Sequence, residues 1–106
     1  MRPARPKPRT AYEQALVILG RRAYTTREMR LRLAQKRFPL EEIAETIERL
    51  TTGGLLNDAT LLEHLAHRKG HALRGLDPLV RRRRLYAFLA RRGYGSEEIL
   101  GVLEDL

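Results

Sequence analysis

The stretch TREMRLRLAQKRFPLEEIAETIERL, Thr26 to Leu50, decides how the chain folds, because it returns as RRRLYAFLARRGYGSEEILGVLEDL, Arg82 to Leu106. At a shift of 56 residues, Arg27/Arg83, Leu33/Leu89, Ala34/Ala90, Glu41/Glu97, Glu42/Glu98, Ile43/Ile99, Glu48/Glu104 and Leu50/Leu106 are identical. Met29/Leu85, Lys36/Arg92, Phe38/Tyr94 and Ile47/Leu103 are conservative pairs. Self-similarity at a fixed spacing marks a structural unit used twice. Within the first copy, Met29, Leu33 and Phe38 give one helix its apolar edge, and Leu40, Ile43, Ile47 and Leu50 recur at helical spacing to face inward from the next. TTRE, residues 25 to 28, is a capping box: Thr25 can accept from the Glu28 amide while Glu28 reaches back. Pro39 suits the first turn of the following helix, and Gly53-Gly54 end it.

Each unit has a further helix in front of this pair. Thr10 can cap the first, which carries Ala11, Tyr12, Ala15, Leu16 and Leu19 as its stripe. At a shift of 50 its Ala11, Tyr12, Ala15 and Leu16 match Leu61, Leu62, Leu65 and Ala66, so the second copy holds about six extra residues between its first two helices. Asn57 or Asp58 caps this fourth helix, Asp77-Pro78 starts a fifth, and Ser96 caps a sixth running to Leu106. No alternating pattern persists that would make a strand. The expected architecture is all-α: two tandem three-helix units, residues 10–54 and 55–106, in an elongated arrangement. The leading MRPARPKPR, residues 1–9, holds three prolines and four cations, has nothing to bury, and reads as a disordered basic arm.

A chain of 106 residues can build one modest core or two small ones. Without cysteine it has no disulfide, thiolate nucleophile or cysteine zinc site. No apolar run approaches the roughly 18 residues of a membrane span, and the basic N-terminus lacks a signal's apolar segment. Lys plus Arg outnumber Asp plus Glu by 21 to 13, a net charge of +8, which points to an anionic partner. The excess is segregated along the chain: the first two helices of each unit are basic and the third is acidic. Glu41, Glu42, Glu97 and Glu98 sit where a helix dipole favours anions, which accounts for part of that division.

LVRRRRLYAFLARRGYG, Leu79 to Gly95, concentrates six arginines. Four consecutive helical residues sweep about 300°, so Arg81 to Arg84 cannot share a face. With Leu85 and Leu89 as the core direction, Arg83, Arg84 and Arg91 point away. Arg81, Arg82 and Arg92 lie nearer the apolar stripe, over which their stems can lie. A charge run is commonly no more than a solvated face. Here the cluster recurs in the first copy at Arg21, Arg22, Arg27, Arg30, Arg32, Lys36 and Arg37, which favours a partner surface. The expected basic face comprises Arg30, Arg68, Lys69, Arg74, Arg83, Arg84, Arg91 and Arg92. His64, His67 and His71 fall along one helix side, but no carboxylate or thiol completes a metal set, and a wet helix flank is the plainer reading. The four tyrosines read as core edges before base-stacking platforms. Ser96 is the only serine and stands before Glu97-Glu98 in a cap position, and Gly53-Gly54 lacks the lysine of a phosphate loop. The expectation is therefore no enzyme, no cofactor and no metal.

RRAYTTREMRLRLAQKRFPLEEIAETIERLTTGGLLND, Arg21 to Asp58, resembles the opening repeat of the bacterial RecX family of recombination regulators. The shared features are the aromatic-Thr turn, Glu28-Met29-Arg30, Leu33, Lys36, Phe38, Glu42, Ile43, Leu50 and then Gly54-Leu55-Leu56-Asn57-Asp58. The second copy looks like the family's next repeat, with Leu85, Leu89, Arg92, Gly93, Tyr94, Ile99 and Leu103 in place. Family members often carry three repeats, and two are visible here. Arg74-Gly75-Leu76-Asp77-Pro78 stands about one turn further from Gly93 than the family's second repeat has it, and Arg37 replaces a usual helix-ending glycine.

The resemblance implies a cytoplasmic protein that lies along the groove of the RecA recombinase filament. It would modulate, mostly inhibit, filament extension, strand exchange, ATP hydrolysis and co-protease activity. It implies no catalysis and no cofactor; from composition no membrane partner is expected, and a monomer is expected. The competing reading is an autonomous nucleic-acid-binding helical protein, with weak, salt-steep binding of single- or double-stranded DNA. Against base-specific reading, no Asn/Gln/Arg set recurs at one helix N-terminus. A ribosome-associated or toxin-like basic protein is a third possibility.

Overall fold

The computed structural model describes residues 8–106. Among them are six helices and no strand: α1 Ala11–Leu19, α2 Thr26–Gln35, α3 Leu40–Thr52, α4 Asp58–Ala72, α5 Pro78–Arg91 and α6 Ser96–Glu104. Residues 1–7 of the expected N-terminal arm lie outside the described residues. The main helix packing lies within each triplet, α1–α3 and α4–α6, and the molecule extends 65 × 28 × 21 Å.

Local chemistry sets the helix starts. Thr10 accepts from the Glu13 amide at 3.1 Å while the Glu13 carboxylate accepts from the Thr10 amide at 3.3 Å. Thr25 and Glu28 repeat the arrangement at 3.0 and 2.9 Å. Asp77 accepts from the Leu79 amide at 3.0 Å, with Pro78 in the first turn, where its missing amide hydrogen costs nothing. The two alternatives for α4 divide: Asn57 caps it by accepting from the Thr60 amide at 3.1 Å, and Asp58 serves a different helix, described below. Three expected boundaries shift by a residue or more. Pro39 is the N-cap of α3 instead of its first-turn residue, Gly95 is the N-cap of α6, and α6 stops at Glu104. Ser96 caps nothing; its hydroxyl is hydrogen-bonded to that of Tyr86 at 2.8 Å.

Two separate cores result. Ala11, Ala15, Met29, Leu33, Ile43, Ile47 and Leu50 form the first, with Tyr24 and Leu56 closing its ends. Leu62, Ala66, Leu85, Leu89, Ile99 and Leu103 form the second, with Tyr94 and Val102. Burial pairs Ala11 with Leu62 and Ala15 with Ala66, which puts the front helices at a shift of 51 residues instead of 50. Leu16 and Leu40, expected inside, are 40% and 81% exposed. Ile18 takes the inward place on α1. Leu40 is the first residue of α3 and lines an open depression beside Arg27, Arg30, Leu31 and Ala34 of α2.

Candidate interaction surface

The joint between the units is polar. Asp58 Oδ1 accepts from the Thr26 amide at 2.8 Å and from its hydroxyl at 3.2 Å, so a residue of α4 satisfies an orphan donor at the start of α2. The Tyr94 hydroxyl donates to the Asp58 carbonyl at 2.9 Å. Burial pushes the Tyr94 phenol up to about 12, and the Asp58 carboxylate adds to the shift. Arg92, at the end of α5, forks onto Glu28: Nε donates to Oε2 at 2.8 Å and Nη2 to Oε1 at 3.0 Å. Glu28 thus caps its own helix and anchors the other unit. Burial alone would raise the Glu28 carboxyl, but the Arg92 guanidinium, the Thr25 backbone bond and Arg22 outweigh it and hold it below the usual range.

Those bonds remove Arg92 from the expected basic face: it is half-buried and committed inside the molecule. Arg81 is half-buried too, donating from Nε to the Gly70 carbonyl at 3.0 Å, one of the carbonyls left free at the end of α4. Arg82, expected beside it near the core, is exposed. Arg83, Arg84 and Arg91 are exposed, as their helical phase requires. Arg84 and Arg91 share the α5 flank with Phe88, whose ring lies 5.1 Å from Lys69 Nζ of α4, so these cations belong to the α4–α5 side. Arg68 is exposed on the outer face of α4. Arg74 follows that helix, its Nη1 2.7 Å from His71 Nε2 and 3.2 Å from the His71 carbonyl. Arg30 is exposed on α2 in the other unit and is not part of this cluster.

Apart from Arg22 and Arg92, both on Glu28, no lysine or arginine among the described residues has a carboxylate within 4.0 Å. The excess charge is displayed, not neutralised internally. His64, His67, Arg68 and His71 line one shallow surface depression. Among the described residues no three His, Cys, Asp or Glu side chains are grouped to hold a metal ion. Likewise, no helix of the described residues is long and apolar enough to cross a membrane.

Sequence reasoning missed the joint. Glu28 was legible as a cap and Arg92 as a core-bordering cation, but nothing local in the sequence links positions 64 residues apart. The repeat held the only signal: Lys36 and Arg92 correspond, yet only the longer, forked side chain has an acid to meet.

The geometry defines a class, the tandem three-helix repeat protein with a charged outer surface. Comparison with known proteins makes it specific. Residues 11–50 match the first three-helix domain of RecX and residues 57–103 match its third, and the chain belongs to the RecX family. It is 37% identical over 101 residues to the regulatory protein RecX of Trichlorobacter lovleyi, covering 93% of this chain and 61% of that protein. The RecX regulatory protein of Chlorobium phaeobacteroides is 25% identical over 141 residues, covering 91% of this chain and 93% of that protein. This chain therefore spans less than two thirds of the first relative's length. The match to the third domain corrects the expectation that the second copy is the family's next repeat. The longer spacing from Arg74–Pro78 to Gly93 then belongs to a different domain and is no displacement within the same one.

Proposed function

We propose that this chain is a regulator that binds the RecA recombinase filament and restrains its extension, and with it strand exchange, ATP hydrolysis and co-protease activity. The observation that carries the reading is that Arg68, Arg83, Arg84 and Arg91 of α4 and α5 are exposed with no carboxylate of the described residues within 4.0 Å, on a RecX-family pair of units tied together through Glu28 and Arg92. Unpaired surface cations speed encounter with an acidic partner and fix its orientation more than they add affinity. A filament offers a repeating surface, and the 65 Å length of the molecule suits an extended contact along it. On this reading the protein works in the cytoplasm, as a monomer, without a cofactor and without catalysis of its own.

The test follows ATP hydrolysis by RecA on single-stranded DNA at stoichiometric amounts of the protein. Inhibition relieved by reversing Arg83, Arg84 and Arg91 to Glu is the expected result; no effect of the unaltered protein overturns the proposal. Autonomous DNA binding is the second reading, favoured by the same unpaired cations. It predicts weak, sequence-indifferent affinity that falls steeply with salt.

A further inference from the structure

A second cationic feature lies on the first unit, away from the α4–α5 cluster. Arg9, Gln14, Val17, Ile18, Arg21, Tyr24, Arg32 and Lys36 line a partly enclosed cavity of about 250 Å³ between α1 and the second half of α2. Four of these side chains are cations and none is a carboxylate. Tyr24, buried, forms part of the wall: Arg32 Nη2 donates to its hydroxyl at 3.2 Å, and the Arg22 guanidinium stacks 4.4 Å from its ring centre. Arg22 and Arg32 hold the Tyr24 phenol below its ordinary range.

Helix-end chemistry explains part of this. Arg32 and Lys36 stand at the C-terminal end of α2, where a dipole favours cations. Arg9 stands just before the N-cap of α1, the end where the dipole disfavours them. No internal carboxylate draws Arg9, Arg21, Arg32 or Lys36 into convergence. Like charges gathered around one cavity repel; the end of α2, the Tyr24 hydroxyl and Gln14, which accepts from Arg9 Nη1 at 3.4 Å, offset part of this, and no carboxylate of the described residues supplies the rest. An anion would. A volume of about 250 Å³ is several times the roughly 30 Å³ share of a water molecule, so the site has room for more than a small ion. Val17 and Ile18 give one wall an apolar character suited to a sugar, and arginine forks match tetrahedral phosphate oxygens.

We infer that this cavity is a phosphate-binding site and that its occupant is the backbone of a nucleic acid. It is separate from the face proposed to meet the filament and can be tested without RecA. The full chain, labelled with ¹⁵N, is titrated with a short single-stranded oligonucleotide, with inorganic phosphate and with a poly-glutamate peptide of equal charge. The oligonucleotide is expected to shift the amides of Gln14, Arg21, Arg32 and Lys36 at concentrations where poly-glutamate does not. Arg21→Glu with Lys36→Glu should weaken oligonucleotide binding about tenfold or more and reduce the salt slope by roughly 0.7 for each phosphate that is no longer neutralised. Both side chains are exposed, and Arg21→Gln with Lys36→Gln gives a milder variant whose helicity is checked by circular dichroism. Saturation of the same amides by inorganic phosphate alone, with no gain from the oligonucleotide, overturns the nucleic-acid occupant and assigns the site to a free anion. Equal binding of poly-glutamate, or unchanged affinity and slope in the folded double variants, overturns the inference as a whole.

Discussion

Arg37 and Gly93 occupy the same place in the two units, directly after the middle helix, and both are left-handed, with φ of 65° and 97°. Glycine adopts that conformation without cost, whereas a side chain there strains by about 1–2 kcal/mol. Arg37→Gly is therefore expected to stabilise the first unit by about 1 kcal/mol, after allowing for the added freedom of the unfolded chain, read as a raised midpoint of chemical unfolding. Gly93→Ala should destabilise by a similar amount or more, because a Cβ there would also lie 3.1 Å from Arg27 Cδ. At Glu28 the sign follows from its lowered carboxyl: the joint contributes stability above the unfolded-state value of about 4.3 and loses it as pH falls through the lower folded value. Glu28→Gln should cost about 1–3 kcal/mol at neutral pH and flatten the acid limb of the stability profile, measured by urea unfolding between pH 3 and 7. Helical phase made individual residues legible where a helix is well inside its span: Leu33, Leu85 and Leu89 are buried as their spacing requires. It misplaced Leu16, where Ile18 takes the inward place on α1, and Leu40, the first residue of α3, because apolar spacing alone does not say how far a neighbouring helix covers each face. Leu40→Ala should consequently change stability by less than about 0.5 kcal/mol, while Leu33→Ala should cost about 2–5 kcal/mol.

At the scale of elements, α2 shows how a helix can depend on residues outside its own unit. Its first amides are satisfied from two directions, by Thr25 at Glu28 and by Asp58 at Thr26. Asp58→Ala should remove a cap and cost about 1 kcal/mol, with reduced hydrogen-exchange protection expected in the first turn of α2, not in α4. Protection weakened first in α4 would contradict this division of labour. The capping boxes, the Asp77-Pro78 start and the six helices themselves were readable, because they rest on residues within four positions of each other. The role of Asp58 was not: sequence offers it as a cap for the helix it begins, and only packing reveals the closer amide across the joint. α5 divides its arginines by the same logic, Arg81 and Arg92 held by protein acceptors and Arg83, Arg84 and Arg91 left to solvent or a partner.

For the whole molecule, the separation of charge matters more than its sum. The acidic helices α3 and α6 do not pair with the basic ones. The Ala11 amide donates to the Glu42 carboxylate at 2.9 Å, but almost every surface cation among the described residues stays free. Raising salt is therefore expected to raise unfolding midpoints modestly, by screening repulsion among the cations, while weakening association with any anionic partner several-fold, a contrast measurable on one sample by calorimetry and binding anisotropy. The repeat announced two units, and the family resemblance announced their kind. Which family domain the second unit represents stayed hidden, since the last two helices of both copies carry the same core spacing and the units differ mainly in helix length, nine residues in α1 against fifteen in α4.

The Thr26–Asp58 and Glu28–Arg92 bonds have a consequence for how such chains gain or lose modules. The front of α2 is a socket, and the start of α4 with the end of α5 is the plug that fits it. A first-type unit here accepts a third-type unit directly, without an intervening one. Any longer arrangement must either offer a matching plug on the inserted module or leave Glu28 and the Thr26 amide to water. In this chain the seam rests on four side chains, Thr26, Glu28, Asp58 and Arg92, none of which belongs to either hydrophobic core.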